Sequence, residues 1–135
     1  MKDRISALIN EAASARNRAY APYSRFRVGA AVATSGGKIY SGCNVENASY
    51  GLTCCAERVA LFKAVSEGEK EFTDIAVVSD SEDFCSPCGA CRQVMAEFGG
   101  HITVYMCNNR GEYQLKSVSD LLPGSFRLDG NKQSV

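Results

Sequence analysis

A layered α/β domain, in which helices flank a mixed sheet of about five strands, is predicted for this chain by three features of its pattern. Its first stretch repeats apolar residues at helical spacing. Two extended segments around Ser35-Gly36-Gly37 have the form of a hairpin. Residues 72–107 then run strand, helix, strand, the signature of a right-handed crossover between parallel strands. With 135 residues, 45% of them hydrophobic, the chain is expected to form one domain over 1–135, with a polar tail at 127–135.

Ile5, Leu8, Ile9, Ala12, Ala13, Arg16 and Ala19 follow the three-and-four spacing of one helix face, which predicts a helix over 3–19. Pro22 breaks it, because the residue before a proline is pushed out of the helical region. Residues 28–33 form an apolar strand whose small side chains imply a closely packed neighbour, and 38–43 return beside it. Asn44, Glu46 and Asn47 make 44–52 a polar loop at the mouth of a site. Residues 55–67 are apolar around most of a helix circumference, with Thr53 suited to cap the start and Gly68 to end it. A strand at 72–79, a helix at 87–98, strands at 101–107 and 113–117, and a short helix at 119–122 capped by Ser119 complete the prediction.

Lys plus Arg and Asp plus Glu each number 15, so the formal charge is zero and no basic footprint favours nucleic acid or anionic membrane. No apolar run approaches the ~20 residues of a membrane helix, and the start Met1-Lys2-Asp3-Arg4 is polar, so a cytoplasmic protein with a small partner is expected. The seven cysteines are odd in number and no export signal is expected from the polar start, which favours metal binding over disulfides.

Two motifs carry the chemistry: Cys55-Ala56-Glu57-Arg58, and Ser86-Pro87-Cys88-Gly89-Ala90-Cys91-Arg92-Gln93. One thiol beside a carboxylate, with a distant pair of thiols three apart, is a donor set for Zn²⁺ that leaves one coordination position open and a proton carrier beside it. Cys85-x-x-Cys88 is also available. Pro87 suits a first helical position and excludes Cys85 from the helix, so Cys88 and Cys91 are the chosen pair on one face of its first turn. Helix starts at Cys55 and Cys88, with Arg58 and Arg92 nearby, would offset the charge of three thiolates. Residues two apart on a helix flank diverge, so Cys55 and Glu57 can share a site only over the helix end, with Cys55 at the cap position. A closed four-thiol site of Cys55, Cys85, Cys88 and Cys91 that binds a protein partner, or a redox pair at Cys85 and Cys88, are the competing readings.

These motifs resemble the zinc nucleoside deaminases, specifically the small cytidine deaminases. The resemblance extends over Tyr23-Ser24-x-Phe26-x-Val28-Gly29-Ala30-Ala31, the run from Gly42 to Tyr50, both motifs above, and Leu121-Leu122-Pro123-Gly124-Ser125-Phe126. It implies hydrolytic deamination of cytidine and deoxycytidine in pyrimidine salvage, with Zn²⁺ on Cys55, Cys88 and Cys91 and Glu57 shuttling protons to N3 and to the departing amine. Deamination of another cytosine nucleoside is the alternative within the class. The resemblance further gives Asn44 and Glu46 to the ribose hydroxyls, and Phe26 and Ala56 to the nucleoside pocket. Phe126 would stack on the base from a neighbouring subunit of a homotetramer. Arg58 and Gln93 match positions that hydrogen-bond the thiolates.

Overall fold

The structure, a computed structural model, describes residues 2–128. Most of the polar tail, 129–135, therefore lies outside the described residues. Helix α1 (Lys2–Arg16) is followed by β1 (Val28–Thr34), β2 (Ile39–Cys43), a 3-10 turn (Tyr50–Leu52) and α2 (Ala56–Ser66). Then come β3 (Phe72–Ser79), α3 (Gly89–Phe98), β4 (Thr103–Cys107), β5 (Tyr113–Ser117) and α4 (Val118–Leu121). The five strands lie in the order β2-β1-β3-β4-β5. β1 is antiparallel to both neighbours, β3 and β4 are parallel, and β5 turns back along β4. The mixed sheet and the parallel β3–α3–β4 crossover are as the sequence predicts.

Alternation along the inner strands feeds two cores. Ala30, Val32, Ile75, Val77, Val104 and Met106 face a cluster completed by Ala60, Leu61, Ala64, Cys91 and Met95 of α2 and α3. The intervening Ala31, Ala33, Ala76, Val78, Tyr105 and Cys107 meet Leu8, Ile9 and Ala12 of α1. Coverage on both faces is why β1, β3 and β4 read as continuous apolar runs, and it makes three layers. The small residues of β1 do mark a close neighbour: a Cβ on Gly29 would fall 2.0 Å from the Ala12 carbonyl oxygen of α1.

Several boundaries differ from expectation. Helix α1 stops at Arg16 rather than 19, because Asn17, Arg18 and Ala19 bond to carbonyls three residues back and unwind the last turn. Tyr20 then bridges to Val45. Thr53 does not cap α2. It ends the 3-10 turn, and its hydroxyl accepts from the Asn47 N–H, while Cys55 is the cap residue. α3 starts after Pro87, with Cys88 at its cap. Ser117 rather than Ser119 caps α4, accepting from the Asp120 N–H at 3.1 Å. Among the described residues, no helix is long and apolar enough to cross a membrane.

Candidate metal and acid-base site

Helices α2 and α3 lie on the same face of the sheet and point their N-termini at one place. Cys55 and Cys88 are the two cap residues, both in extended backbone, and Cys91 lies in the first turn of α3. The sulfurs of Cys55, Cys88 and Cys91 all lie within 4.8 Å of one another, with Cys55 Sγ and Cys88 Sγ 3.9 Å apart. A tetrahedral zinc with Zn–S bonds near 2.3 Å requires sulfurs roughly 3.8 Å apart, so the set fits zinc with one position left open. Cys85 is not in this set. Its N–H bonds to the Cys107 carbonyl, and burial pushes its thiol up to about 12. The geometry therefore does not assemble the closed four-thiol site.

The donor set is prepared for a cation. Interaction with the Cys91 thiol, aided by Arg58, draws Cys55 down to about 5 against the cost of burial. The same interaction and burial hold Cys91 well above the ordinary thiol range. Metal binding to such a set requires the thiols to be deprotonated and releases their protons. Arg58 Nη2 donates to Cys55 Sγ at 3.3 Å from one turn along α2. The structure turns Gln93 elsewhere: its Nε2 donates to the Phe126 carbonyl at 3.0 Å. Two residues beyond Cys91, Gln93 projects from a different side of α3.

Glu57 is in the first turn of α2 and 5% exposed. Burial raises its carboxyl to about 7, a value suited to giving and taking protons near neutrality. Glu57 lies two residues past the Cys55 cap, and the charge of Cys55 adds to the rise of its carboxyl. Ala56, between them, is fully buried.

Asn44 and Glu46 are both buried, and their polar atoms hold the neighbouring loop. Asn44 Oδ1 accepts from the Val28 N–H and its Nδ2 donates to the Phe26 carbonyl, each at 2.9 Å. Glu46 accepts from the Tyr23 and Ser24 N–H groups and from the Ser24 hydroxyl. Phe26 and Phe126 are exposed aromatics, 43% and 64% accessible. Sequence reasoning missed the bracing role of Arg92, whose guanidinium bonds to the Pro87 and Leu121 carbonyls and to Ser86 Oγ, joining the thiol loop to the chain before Phe126. Its only signal was position beside Cys91.

A three-thiol cluster that fits zinc with one position open, and a buried carboxylate in the same helix turn, defines the class: a zinc-dependent enzyme. Residues 2–107 match the family described as the cytidine and deoxycytidylate deaminase zinc-binding region. A cytidine deaminase of Halalkalibacterium halodurans is 58% identical over 123 residues, covering 90% of this chain and 93% of that one. A cytidine deaminase of Sporosarcina psychrophila is 53% identical over 123 residues, with 90% of each chain covered. The crystal structure of cytidine deaminase from Burkholderia pseudomallei superposes with a TM-score of 0.86 at 53% identity, over 90% of this chain and 98% of that one. The chain belongs to the cytidine and deoxycytidylate deaminase family.

Proposed function

We propose that this protein hydrolyses cytidine and deoxycytidine to the corresponding uracil nucleosides and ammonia, with zinc held by Cys55, Cys88 and Cys91. The observation that carries the reading is the buried Glu57 beside three converging sulfurs at two helix N-termini. Zinc bound there supplies an electropositive centre that lowers the pKa of water from 15.7 toward ~7. Glu57 takes the proton of the attacking water and returns it at N3 of the ring while oxygen adds to C4. It then takes the proton of the new C4 hydroxyl and passes it to the amino group, so that the C4–N bond breaks, ammonia leaves and the C4 carbonyl of the uracil ring forms. Arg58 offsets the charge on Cys55 and fixes its orientation.

Phe26, Asn44, Glu46 and Ala56 form the nucleoside side of the site, with Phe126 supplied to a neighbouring subunit of a homotetramer. Tyr50, Leu52 and Phe126, which are among the large hydrophobic side chains left exposed, support an assembly that covers them. Seven free thiols support a reducing cytoplasm, where the reaction would serve pyrimidine salvage.

Ammonia release from cytidine, deoxycytidine, dCMP and single-stranded RNA tests the substrate class. Turnover is expected for the two nucleosides, and exclusive activity on dCMP or RNA would refute the reading. Glu57→Ala should keep its zinc and lose about 10²–10⁴-fold or more in kcat. Retention of substantial turnover would show that Glu57 is not the proton carrier.

A further inference from the structure

The segment carrying Phe26 is held by the same two buried side chains assigned to the sugar. Phe26 has both its backbone polar groups engaged: its N–H donates to Ser24 Oγ at 3.0 Å, and its carbonyl accepts from Asn44 Nδ2 at 2.9 Å. The Ser24 hydroxyl in turn donates to Glu46 Oε2. A hydroxyl has one proton. Since that proton goes to the carboxylate, a lone pair of Oγ is left facing the Phe26 N–H, and the ionised Glu46 fixes which way the relay runs. Glu46 Oε1 also accepts from the Tyr23 and Ser24 N–H groups at 2.9 and 3.1 Å, so the carboxylate anchors the start of the loop while Ser24 carries its hold two residues further.

We infer that Ser24 is a positioning residue for the reaction: it links Glu46 to the backbone of Phe26, so the sugar-side carboxylate and the aromatic wall of the pocket are set as one unit. The functional half of this inference rests on the proposed nucleoside substrate. The geometric half stands on the hydrogen bonds alone. Ser24 is exposed and in no core cluster, so its hydroxyl can be removed without opening a cavity. Its effect would be on the orientation of Phe26 in the bound complex rather than on the proton steps at Glu57.

Ser24→Ala is expected to raise KM for cytidine about tenfold, the loss of one charge-assisted hydrogen bond, with a much smaller change in kcat. In a Phe26→Ala background the same substitution should add less than about twofold, because the group it positions is gone. Ser24→Thr, which keeps the hydroxyl, should restore KM. Independently of turnover, the Phe26 amide should exchange its hydrogen about tenfold faster in Ser24→Ala than in the wild-type or Ser24→Thr protein. Unchanged KM in Ser24→Ala, or a full additive loss in the double variant, would overturn the positioning role. Unchanged exchange at Phe26 would overturn the relay itself. Were the wild-type protein inactive on both nucleosides, the substrate reading would fail, and the exchange measurement would still decide the relay.

Discussion

Gly42→Ala is expected to move α2 and the thiol at its start together. A Cβ on Gly42 would lie 2.6 Å from the Ala60 backbone nitrogen and 2.9 Å from Val59 Cγ1. Ordinary contact begins near 3.4 Å, so β2 and α2 must separate by the difference, about 0.8 Å. The near atom is backbone within a regular helix, so no rotamer change relieves the overlap and the helix shifts as a body. Cys55 caps that helix, 3.9 Å from Cys88. Metal–ligand distances tolerate only about 0.2 Å, and the shift is several times larger. The expected cost is about 1–3 kcal/mol of stability, a fall in Tm of roughly 4–12 °C. Zinc affinity should weaken about 10–100-fold. Thermal unfolding of the zinc-free and zinc-loaded protein, with zinc affinity from chelator competition, measures both. Gly36→Ala is the control, since its Cβ would meet nothing nearer than Thr34 Oγ1 at 3.8 Å. A Gly42→Ala protein matching the wild type in Tm and zinc affinity would refute the packing argument.

Cys88→Ser should lose stoichiometric zinc while Cys85→Ser keeps it, as read by metal analysis, because only Cys88 belongs to the sulfur cluster. Asp80 is pushed up by burial, but hydrogen bonds and charge from Arg27, with Arg16 behind, outweigh this and hold its carboxyl below the ordinary range. A depressed folded value makes its contribution full above the unfolded pKa of ~3.9 and lost as pH falls through the lower folded one. The Tm gap between wild type and Asp80→Asn should therefore be constant near pH 6, correspond to no more than about 1 kcal/mol, and close as the pH drops below about 4. Arg25 has φ of 61° in the left-handed region. Arg25→Val should cost about 1–2 kcal/mol in thermal unfolding, since a β-branched residue tolerates that backbone poorly, whereas Arg25→Gly should not lower Tm.

Local pattern carried a large part of this protein. The crossover from β3 through α3 to β4 was legible because two apolar runs bracket a helical one at lengths that allow no hairpin. Cys55, Cys88 and Cys91 could be chosen because thiols are zinc donors by residue type and the restriction that Pro87 imposes is local to the chain. The exclusion of Cys85 followed from backbone restriction beside Pro87, and the cluster of sulfurs agrees with it.

Direction and distance were decided only in three dimensions. That Cys88 caps α3 rather than joining its first turn, that Ser117 rather than Ser119 caps α4, and that Gln93 reaches Phe126 all depend on where a side chain points, which spacing along the chain leaves open by a residue or two. Spacing made Asn44 and Glu46 polar residues of a loop; their bonds to residues 23–28 needed the fold. The value of Glu57 is likewise a tertiary property: the sequence supplies a carboxylate two residues from a thiol, and burial under the packed helices raises it to about 7. Residue chemistry and period belong to the sequence; desolvation and the meeting of distant groups require the closed fold.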